Sequence, residues 1–563
     1  MRSGEYQRSA GTFAPSEDSG RTCGPPAAYV LFPAARLEES DIMAASELAA
    51  TRTATGAEYD PRSARAVLVV LTGMALMVTY VETMVVPGFQ SFYTFFSGVP
   101  YTTIAWILSA YLLVGTVATP IFGKLGDRYG KKRTLLVVMT VYAIAVSGAG
   151  FTPNIGAALG IVRANQIYLL IGVRALQGVG MAMFPLAFAM IPEVFPTQRV
   201  GTSQGIVSAM FGGGAALGLV GGGYVTHQYG WQATFHTIIP FAFLLVVLAS
   251  LVVRESPKRE PKPIDLLGIA SLGFALAMFL FGLTEGATWG WTSLSAARWG
   301  PLVWGVPEFF VLAVVGILLF IYRELHTIAP AVSFTALRQR NIWISNVAGG
   351  LVGAVQFLFF VTFVILIEDP LSPGFGLNEF QMGLLALPSV GSMLAFGPIL
   401  GWSVSKWGPK PITILGFGVM AIGAACLAFE HGSVSLLILF SIPLLVGNVA
   451  CLIATTNVIV LSVSPADLGI QTGINQTFRN LGSAVGPVAA TTIVASFVAI
   501  QLVMVHPGVE VPVSAPANAG FVWAALLAAA LALFGFLLSW GLRRLQPAGK
   551  EPLSSSPTPE PVT

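Results

Sequence analysis

The sequence predicts an all-α membrane protein of fourteen transmembrane helices, from its hydropathy, its apolar runs and the lopsided placement of its charges. Of its 563 residues, 55% are hydrophobic and only 10% are charged. The mean hydropathy is +0.77, which excludes a soluble globular chain. A spanning helix needs about 20 predominantly apolar residues. Fourteen such runs occur, near residues 65–86, 103–122, 134–151, 167–190, 201–225, 234–253, 266–284, 301–322, 342–367, 381–400, 411–429, 435–463, 470–499 and 520–541.

The charges test this count independently. With both termini cytoplasmic, all but four of the 29 Lys and Arg residues fall in cytoplasmic tails and loops. Arg163 and Arg298 lie outside, and Arg174 and Arg479 lie within spans. Lys and Arg resist translocation, so this asymmetry orients the chain. Removing one helix from the count would put several basic loops on the wrong side. The expected setting is the cell membrane, with the lipid bilayer as solvent and the chain a monomer. Residues 1–64 have no apolar core of signal-peptide type and read as a disordered cytoplasmic tail. A start at Met43 would leave residues 1–42 untranslated. Residues 542–563 form a second polar, Pro-rich tail. Cys23, Cys426 and Cys451 make no disulfide framework.

An internal repeat organises the chain. GIVSAMFGGGAALGLVGG from Gly205 resembles GINQTFRNLGSAVGPVAA from Gly473, pairing Gly205, Ile206, Gly214 and Gly218 with Gly473, Ile474, Gly482 and Gly486. GKLGDRYGKKR from Gly123 is echoed by GWSVSKWGPKP from Gly401. There Gly401, Lys406, Gly408 and Lys410 replace Gly123, Arg128, Gly130 and Lys132, and Ser405 stands where Asp127 stood. Both echoes relate spans 1–6 to spans 9–14 in the same order, and two like-oriented six-helix halves are the parallel repeat of a large transporter fold. The expected organisation is a bundle at 65–253, inserted spans 7 and 8 with their linkers at 254–341, and a second bundle at 342–541. The inserted pair is joined by the Trp-rich loop ATWGWTSLSAARWG.

Span 5 carries Gly205, Gly214, Gly218, Gly222 and Gly223, with Gly212, Gly213 and Gly221 as a second small-residue run. Small residues at helical spacing let two membrane helices touch backbone to backbone. A static contact and a sliding one both fit this pattern. Ionisable residues inside spans need a reason, since each costs roughly 2.5–3.5 kcal/mol on insertion scales. Glu82 lies late in span 1. Arg174 lies in span 4, with Gln177 on the same face. If Glu82 and Arg174 face one central cavity, the carboxylate can be protonated in one state and released in another. Arg479 lies about ten residues into span 13, where snorkelling to the cytoplasmic face is the alternative. Gln356, Asn475, Gln476 and Asn480 could offer hydrogen bonds to a solute. Phe357, Phe359 and Phe360 read as core or lipid-facing. Glu308, Glu368 and Asp369 are expected near the outer surface, solvated.

Other chemistries lack their motifs. There is no GxxxxGK[ST] phosphate loop, HExxH motif or Cys/His metal cluster, and the five histidines are scattered. The basic residues are spread along membrane loops, so nucleic-acid binding has no support. No cofactor is expected; the proton-motive force is the energy source.

On these residues the chain resembles the major facilitator superfamily, and within it the fourteen-helix drug–proton antiporters, over about residues 65–541. GKLGDRYGKKR is similar to the family's loop 2–3 signature at Gly123, Leu125, Asp127, Arg128, Gly130 and the basic run Lys131, Lys132 and Arg133. RALQGVG from Arg174 resembles its helix 4 signature. Span 5 resembles the antiporter signature G-x8-G-x3-G-P-x2-G-G, with Leu219 in the proline position and Pro487 in the equivalent place of the second half. Glu82-Thr83 replaces the usual Asp-x-Thr motif of helix 1. The resemblance implies alternating access by two rocking halves. It also implies a latch in which the Asp127 carboxylate meets the start of span 13, near Gly469 to Gly473. Proton-coupled export of a small hydrophobic or cationic solute is the first expectation. Uptake or facilitated diffusion on the same fold is the alternative, favoured by Leu219. A non-transporting sensor lacks the large sensory domain it would need.

Overall fold

The computed structural model describes residues 60–96, 99–255, 265–292, 297–299, 302–327, 338–463, 468–506 and 509–545. The expectations for residues 1–42 and for most of both tails therefore lie outside the described residues. A helix occupies each predicted span: α1 (Pro61–Phe95), α2 (Tyr101–Tyr129), α3 (Lys131–Gly150), α4 (Arg163–Val194), α5 (Thr197–Tyr229), α6 (Trp231–Val252), α7 (Leu266–Trp289), α8 (Val306–His326), α9 (Arg340–Glu368), α10 (Glu379–Trp407), α11 (Pro409–Phe429), α12 (Val434–Ser462), α13 (Leu468–Ser496) and α14 (Asn518–Trp540). Among the described residues, twelve of these are long and apolar enough to cross a membrane. The other two are α5 and α13, of 33 and 29 residues, which hold the two glycine-rich repeats. Both are also long enough to span at 1.5 Å per residue.

Two helices are interrupted. α1 passes through a 3₁₀ turn at Val86–Gly88, where Pro87 cannot donate to the helical ladder. α4 tightens to 3₁₀ at Gly178–Ala182. There Gly178 lies under the Tyr111 carbonyl of α2, and Gly180 lies under the Tyr142 ring of α3.

The bundle is all-α as expected, and two of its connections carry small antiparallel hairpins. β1 (Ala297–Trp299) pairs with β2 (Leu302–Trp304) between α7 and α8, and β3 (Val498–His506) pairs with β4 (Val509–Pro516) between α13 and α14. The β3–β4 segment is rich in Val and Ile, whose branched side chains suit a pleated strand. It also overlaps the end of the predicted span 13.

Glycine crossings hold each half together. Gly214 and Gly218 of α5 lie against the α1 backbone. A Cβ on Gly214 would sit 2.8 Å from the Leu76 carbonyl, and one on Gly222 would sit 2.7 Å from the Met84 Cα. The repeat-equivalent glycines do the same in the second half. A Cβ on Gly482 of α13 would collide with the Gly350 carbonyl of α9, and one on Gly486 would sit 2.8 Å from the Leu358 amide nitrogen. Side-chain hydroxyl and amide groups reinforce both crossings. Thr83 donates to the Ala215 carbonyl at 3.3 Å, and Asn475 donates to the Ser345 carbonyl at 3.1 Å.

The second repeat is also matched in structure. Gly130 and Gly408 join α2 to α3 and α10 to α11 with φ of +103° and +82°, a conformation that glycine adopts at no steric cost. Two residues further on, Lys132 Nζ donates to the Ser250 carbonyl near the end of α6 at 2.7 Å. Its counterpart Lys410 donates to the Trp540 carbonyl at 3.1 Å and to the Leu542 carbonyl at the end of α14. Each lysine thus meets helix C-terminal carbonyls, where a cation is favoured.

The inserted pair α7–α8 packs along α2 and α13. Trp106 of α2 donates its indole N–H to Thr284 at 2.9 Å, and Thr492 of α13 donates to the neighbouring Leu283 carbonyl at 3.1 Å. At the other end of the pair, Asp265 caps α7 and accepts from Arg323 of α8 at 3.0 Å. Burial raises the Asp265 carboxyl, but the Arg323 hydrogen bond and the Gly268 N–H outweigh it and hold the group below the usual carboxylate range.

These crossings set the spacing of α9 and α13. Gly482→Val should lower the unfolding temperature in detergent and reduce the monodisperse fraction on size exclusion, by an overpacking penalty of about 1–3 kcal/mol. The same change at Gly401, where a Cβ would meet open space, should leave both measurements near wild type.

Candidate functional site

Two ends of the molecule and its middle carry the polar side chains. In the middle, Arg174 is fully buried within the first half. Its Nε donates to the Ile107 carbonyl at 3.1 Å and its Nη1 donates to Gln177 Oε1 at 2.6 Å. The guanidinium stacks over Tyr111 of α2, 4.4 Å from the ring centroid, and faces Phe235 of α6 at 5.9 Å. Nη2 has no hydrogen-bond partner. Stacking on an aromatic face suits the planar, weakly hydrated guanidinium better than it would a lysine.

Glu82 of α1 is half-buried. It lies within electrostatic reach of two cations, first Arg479 of α13 and then Arg174 of α4. Tyr111 and Tyr142 face the same group of charges. Arg479 is the stronger of the two influences, and it belongs to the other half. The carboxylate therefore feels a cation of its own half and one from the second half. The Arg479 backbone carbonyl meanwhile lies at the α9 crossing, against Gly353.

The other polar candidates divide. Asn475 is buried, and its amide is committed to α9, donating to Ser345 O and Asn346 Oδ1 at 3.1 Å each. Gln476 donates to Asn480 Oδ1 at 2.7 Å along the same helix. Gln356 is half-buried in the middle of α9. Phe357, Phe359 and Phe360 are buried core residues. A small apolar cavity of about 40 Å³ lies beside them, lined by Phe359, Phe363, Leu427 and Phe521 among others, and contains none of the site charges.

At the basic end, the α2–α3 turn is tied down within its own half. Lys131 is buried and bonds Glu193 Oε1 of α4 at 2.5 Å and the Ala189 carbonyl at 2.9 Å. Glu255, just beyond α6, accepts from the Lys132 N–H at 3.1 Å and lies 3.6 Å from Arg133 Nε. Arg128 is exposed over the Tyr129 ring, and Gly123 faces open space. Asp127 lies on the last turns of α2, but its side chain falls outside the described residues. The surroundings of Gly205 and of the start of α13 fall outside them as well. The acidic partners Glu193 and Glu255 carried no sequence signal beyond their position at predicted span ends.

At the opposite end, two sequence expectations are overturned. Glu368 and Asp369 are not solvated; they are 5% and 6% exposed. The two halves meet over them. Gln90 of α1 donates its N–H to Glu368 Oε2 at 3.4 Å, and Ser91 donates to Glu379 Oε1 of α10 at 2.5 Å. His227 at the end of α5 lies 3.4 Å from Glu379 Oε2. Gly223 of α5 abuts the Glu379 carbonyl, and a Cβ on Gly383 of α10 would sit 2.8 Å from the Leu219 carbonyl. Burial pushes the Asp369 carboxyl above the usual range, although the Leu371 N–H partly offsets it.

Lys131 and Glu193 form the best-enclosed ion pair among those described. Lys131→Met should destabilise the protein by about 3–5 kcal/mol, because it leaves Glu193 charged and unpaired. Lys131→Met with Glu193→Gln should recover much of that loss in a double-mutant cycle read by thermal unfolding.

The comparisons with known proteins agree with this architecture. The Major Facilitator Superfamily model matches residues 71–487 and 347–562. The tetracenomycin C resistance and export protein of Streptomyces glaucescens is 28% identical over 401 residues, covering 70% of this chain and 69% of that one. The multidrug efflux pump LfrA of Mycolicibacterium smegmatis is 27% identical over 405 residues, covering 70% and 74%. Among solved structures, the Escherichia coli xylose transporter XylE, in a partially occluded inward-open conformation, superimposes with a TM-score of 0.58 at 12% identity, covering 86% of this chain and 98% of that one. The human organic anion transporter MFSD10 does so with a TM-score of 0.53 at 14% identity, covering 85% and 100%. With its paired halves, repeated glycine crossings and matched family model, this multi-pass membrane protein belongs to the major facilitator superfamily of transporters.

Proposed function

We propose that the protein exports small hydrophobic or cationic compounds across the cell membrane in exchange for protons, by alternating access. The observation that carries this reading is Glu82, a half-buried carboxylate within electrostatic reach of Arg479 of the opposite half and Arg174 of its own. Burial without a partner favours the neutral carboxylic acid, and a nearby guanidinium favours the anion. Arg174 is held in place by Ile107, Gln177 and Tyr111. Arg479 belongs to the half that rocks. Movement of the halves therefore changes the distance from Glu82 to Arg479 while Arg174 stays put, and that change alternately loads and releases the proton. The relatives described as a drug resistance and export protein and as a multidrug efflux pump support the direction and the substrate class.

On this reading the basic end faces the cytoplasm, by the positive-inside asymmetry, and the end closed over Glu368 faces outward. The substrate would approach the middle of the bundle from the basic end. Asp127 would act as the latch at that end in the outward-facing state, bonding the N-terminal turn of α13. A carboxylate there is favoured by about 0.3–1 kcal/mol. The Lys131–Glu193 and Glu255 ties would hold the latch loop at a fixed height on its own half.

Proton release on adding substrate to reconstituted protein tests the carrier. Glu82→Gln should bring it to the level of protein-free vesicles, and a drug-susceptibility panel in a transport-deficient host should then match the empty vector. A Glu82→Gln variant with full proton-coupled transport would remove Glu82 from this role. Accumulation of substrate by inside-out vesicles acidified within separates export from uptake. Asp127→Asn should slow turnover several-fold while leaving substrate affinity near wild type; unchanged turnover would dispose of the latch.

A further inference from the structure

The outward end of the interface holds ionisable groups that the central mechanism does not use. Glu368 ends α9, and Glu379 begins α10 eleven residues later; both reach across to the first half. Glu368 is 5% exposed and accepts one long backbone hydrogen bond, 3.4 Å from the Gln90 nitrogen. Its second oxygen, Oε1, is buried with no hydrogen-bond partner among the described residues. Glu379 acts on it as a neighbouring like charge. The groups that face the pair are Gln90, Ser91 and Tyr93 of α1, Tyr101 of α2, His227 of α5 and Asp369 of the following loop. Tyr101 donates to Gln90 Oε1, beneath the ring of Tyr93 at 4.4 Å. Asp369 spends Oδ1 on the Leu371 N–H at 2.9 Å. Of these groups, only His227 can carry a positive charge, and it lies beside Glu379 rather than Glu368.

An ionised carboxylate buried in this way has neither a cation nor enough donors to replace its lost hydration. An acidic proton on Oε1 removes the charge. We propose that Glu368 and Glu379 form a second proton-binding site, separate from Glu82, which holds the two halves together at this end only while the pair carries a proton. When that proton leaves to water, two carboxylates face each other in a site of low polarity. The anion at Glu368 regains hydration only if water enters between α1, α9 and α10. The repulsion and the hydration both act on the seam where Gln90 and Ser91 meet the second half, so the halves separate there. Proton binding from the outer solution reverses the sequence and closes the end. The site's place in the transport cycle rests on the alternating-access reading; its response to pH does not depend on any substrate.

The test is a distance measurement across this end without substrate. Leu159 and Phe429 are 66% and 80% exposed; Leu159 lies in the connection between α3 and α4 and Phe429 ends α11, on opposite halves at the end away from the basic turns. Leu159→Cys and Phe429→Cys, in a background with the native cysteines replaced by serine, carry spin labels in reconstituted full-length protein. Raising the pH from about 5 to about 9, the range buried carboxyl groups reach, should increase the long-distance population several-fold. Glu368→Gln, neutral at every pH, should hold the short distance throughout and lose that increase. Glu379→Gln should move the midpoint to lower pH, because it removes the like charge that opposes ionisation of Glu368. If Glu368→Gln folds poorly, Glu379→Gln supplies the same reading. A pH response unchanged in both variants, or no response in the parent, would overturn the proposal. A working gate in a protein that fails the substrate-coupled proton assay would instead count against the export reading alone.

Discussion

The architecture depends on the backbone-to-backbone crossings of α1 with α5 and of α9 with α13. Helices in lipid gain little from hydrophobic attraction to each other, so close packing and interhelical hydrogen bonds must supply the association. Glycine provides the close approach at Gly214, Gly218 and Gly222, and again at Gly482 and Gly486. Thr83 and Asn475 add hydrogen bonds that only this proximity permits. Once α5 and α13 are pressed against their partners, their other faces contact the opposite half. Leu219 and Gly223 of α5 then meet α10, and Thr492 of α13 meets the inserted α7.

The charge distribution is arranged around those rigid pairs. Polar groups that tie a half to itself cluster at the basic end, where Lys131 bonds Glu193 and Lys132 and Lys410 cap the ends of α6 and α14. Groups that link one half to the other lie in the middle and at the opposite end, in Glu82 with Arg479 and in Gln90 and Ser91 with Glu368 and Glu379. Strong ties within halves and weaker, titratable ones between them suit two bodies that move as units. The insertion of α7 and α8 beside α2 and α13 touches both halves through adjacent residues, Leu283 and Thr284. It thus covers the seam of α2 with α13.

Much of this was legible in the residues. Runs of apolar residues marked all fourteen helices, and the basic loops ordered them. The repeat paired Gly214 with Gly482 and Gly130 with Gly408 before their geometry was known, and each pair occupies equivalent places. Arg174 and Gln177 were paired by helical spacing and are hydrogen bonded. The misses share a cause. The β3–β4 hairpin hid in a Val-rich run whose hydropathy resembles a helix end. Glu368 and Asp369 read as solvated because their neighbours in sequence, Pro370, Ser372 and Pro373, form a polar turn; the residues that cover them lie far away in the chain.

By itself the sequence determined the helices, their orientation bias, the two-fold repeat and the small-residue faces. All of these follow from hydropathy, charge or spacing within one segment, and such local properties need no knowledge of partners. Tertiary structure alone decided that Glu82 comes within electrostatic reach of Arg174 and Arg479, that Glu193 and Glu255 hold the basic turn, and that Glu368 is buried with one oxygen unsatisfied among the described residues. The electrostatics of a carboxylate depend on which charges and donors lie within a few ångströms. Between residues 90 and 368, or 82 and 479, only the packing of the two halves sets that distance.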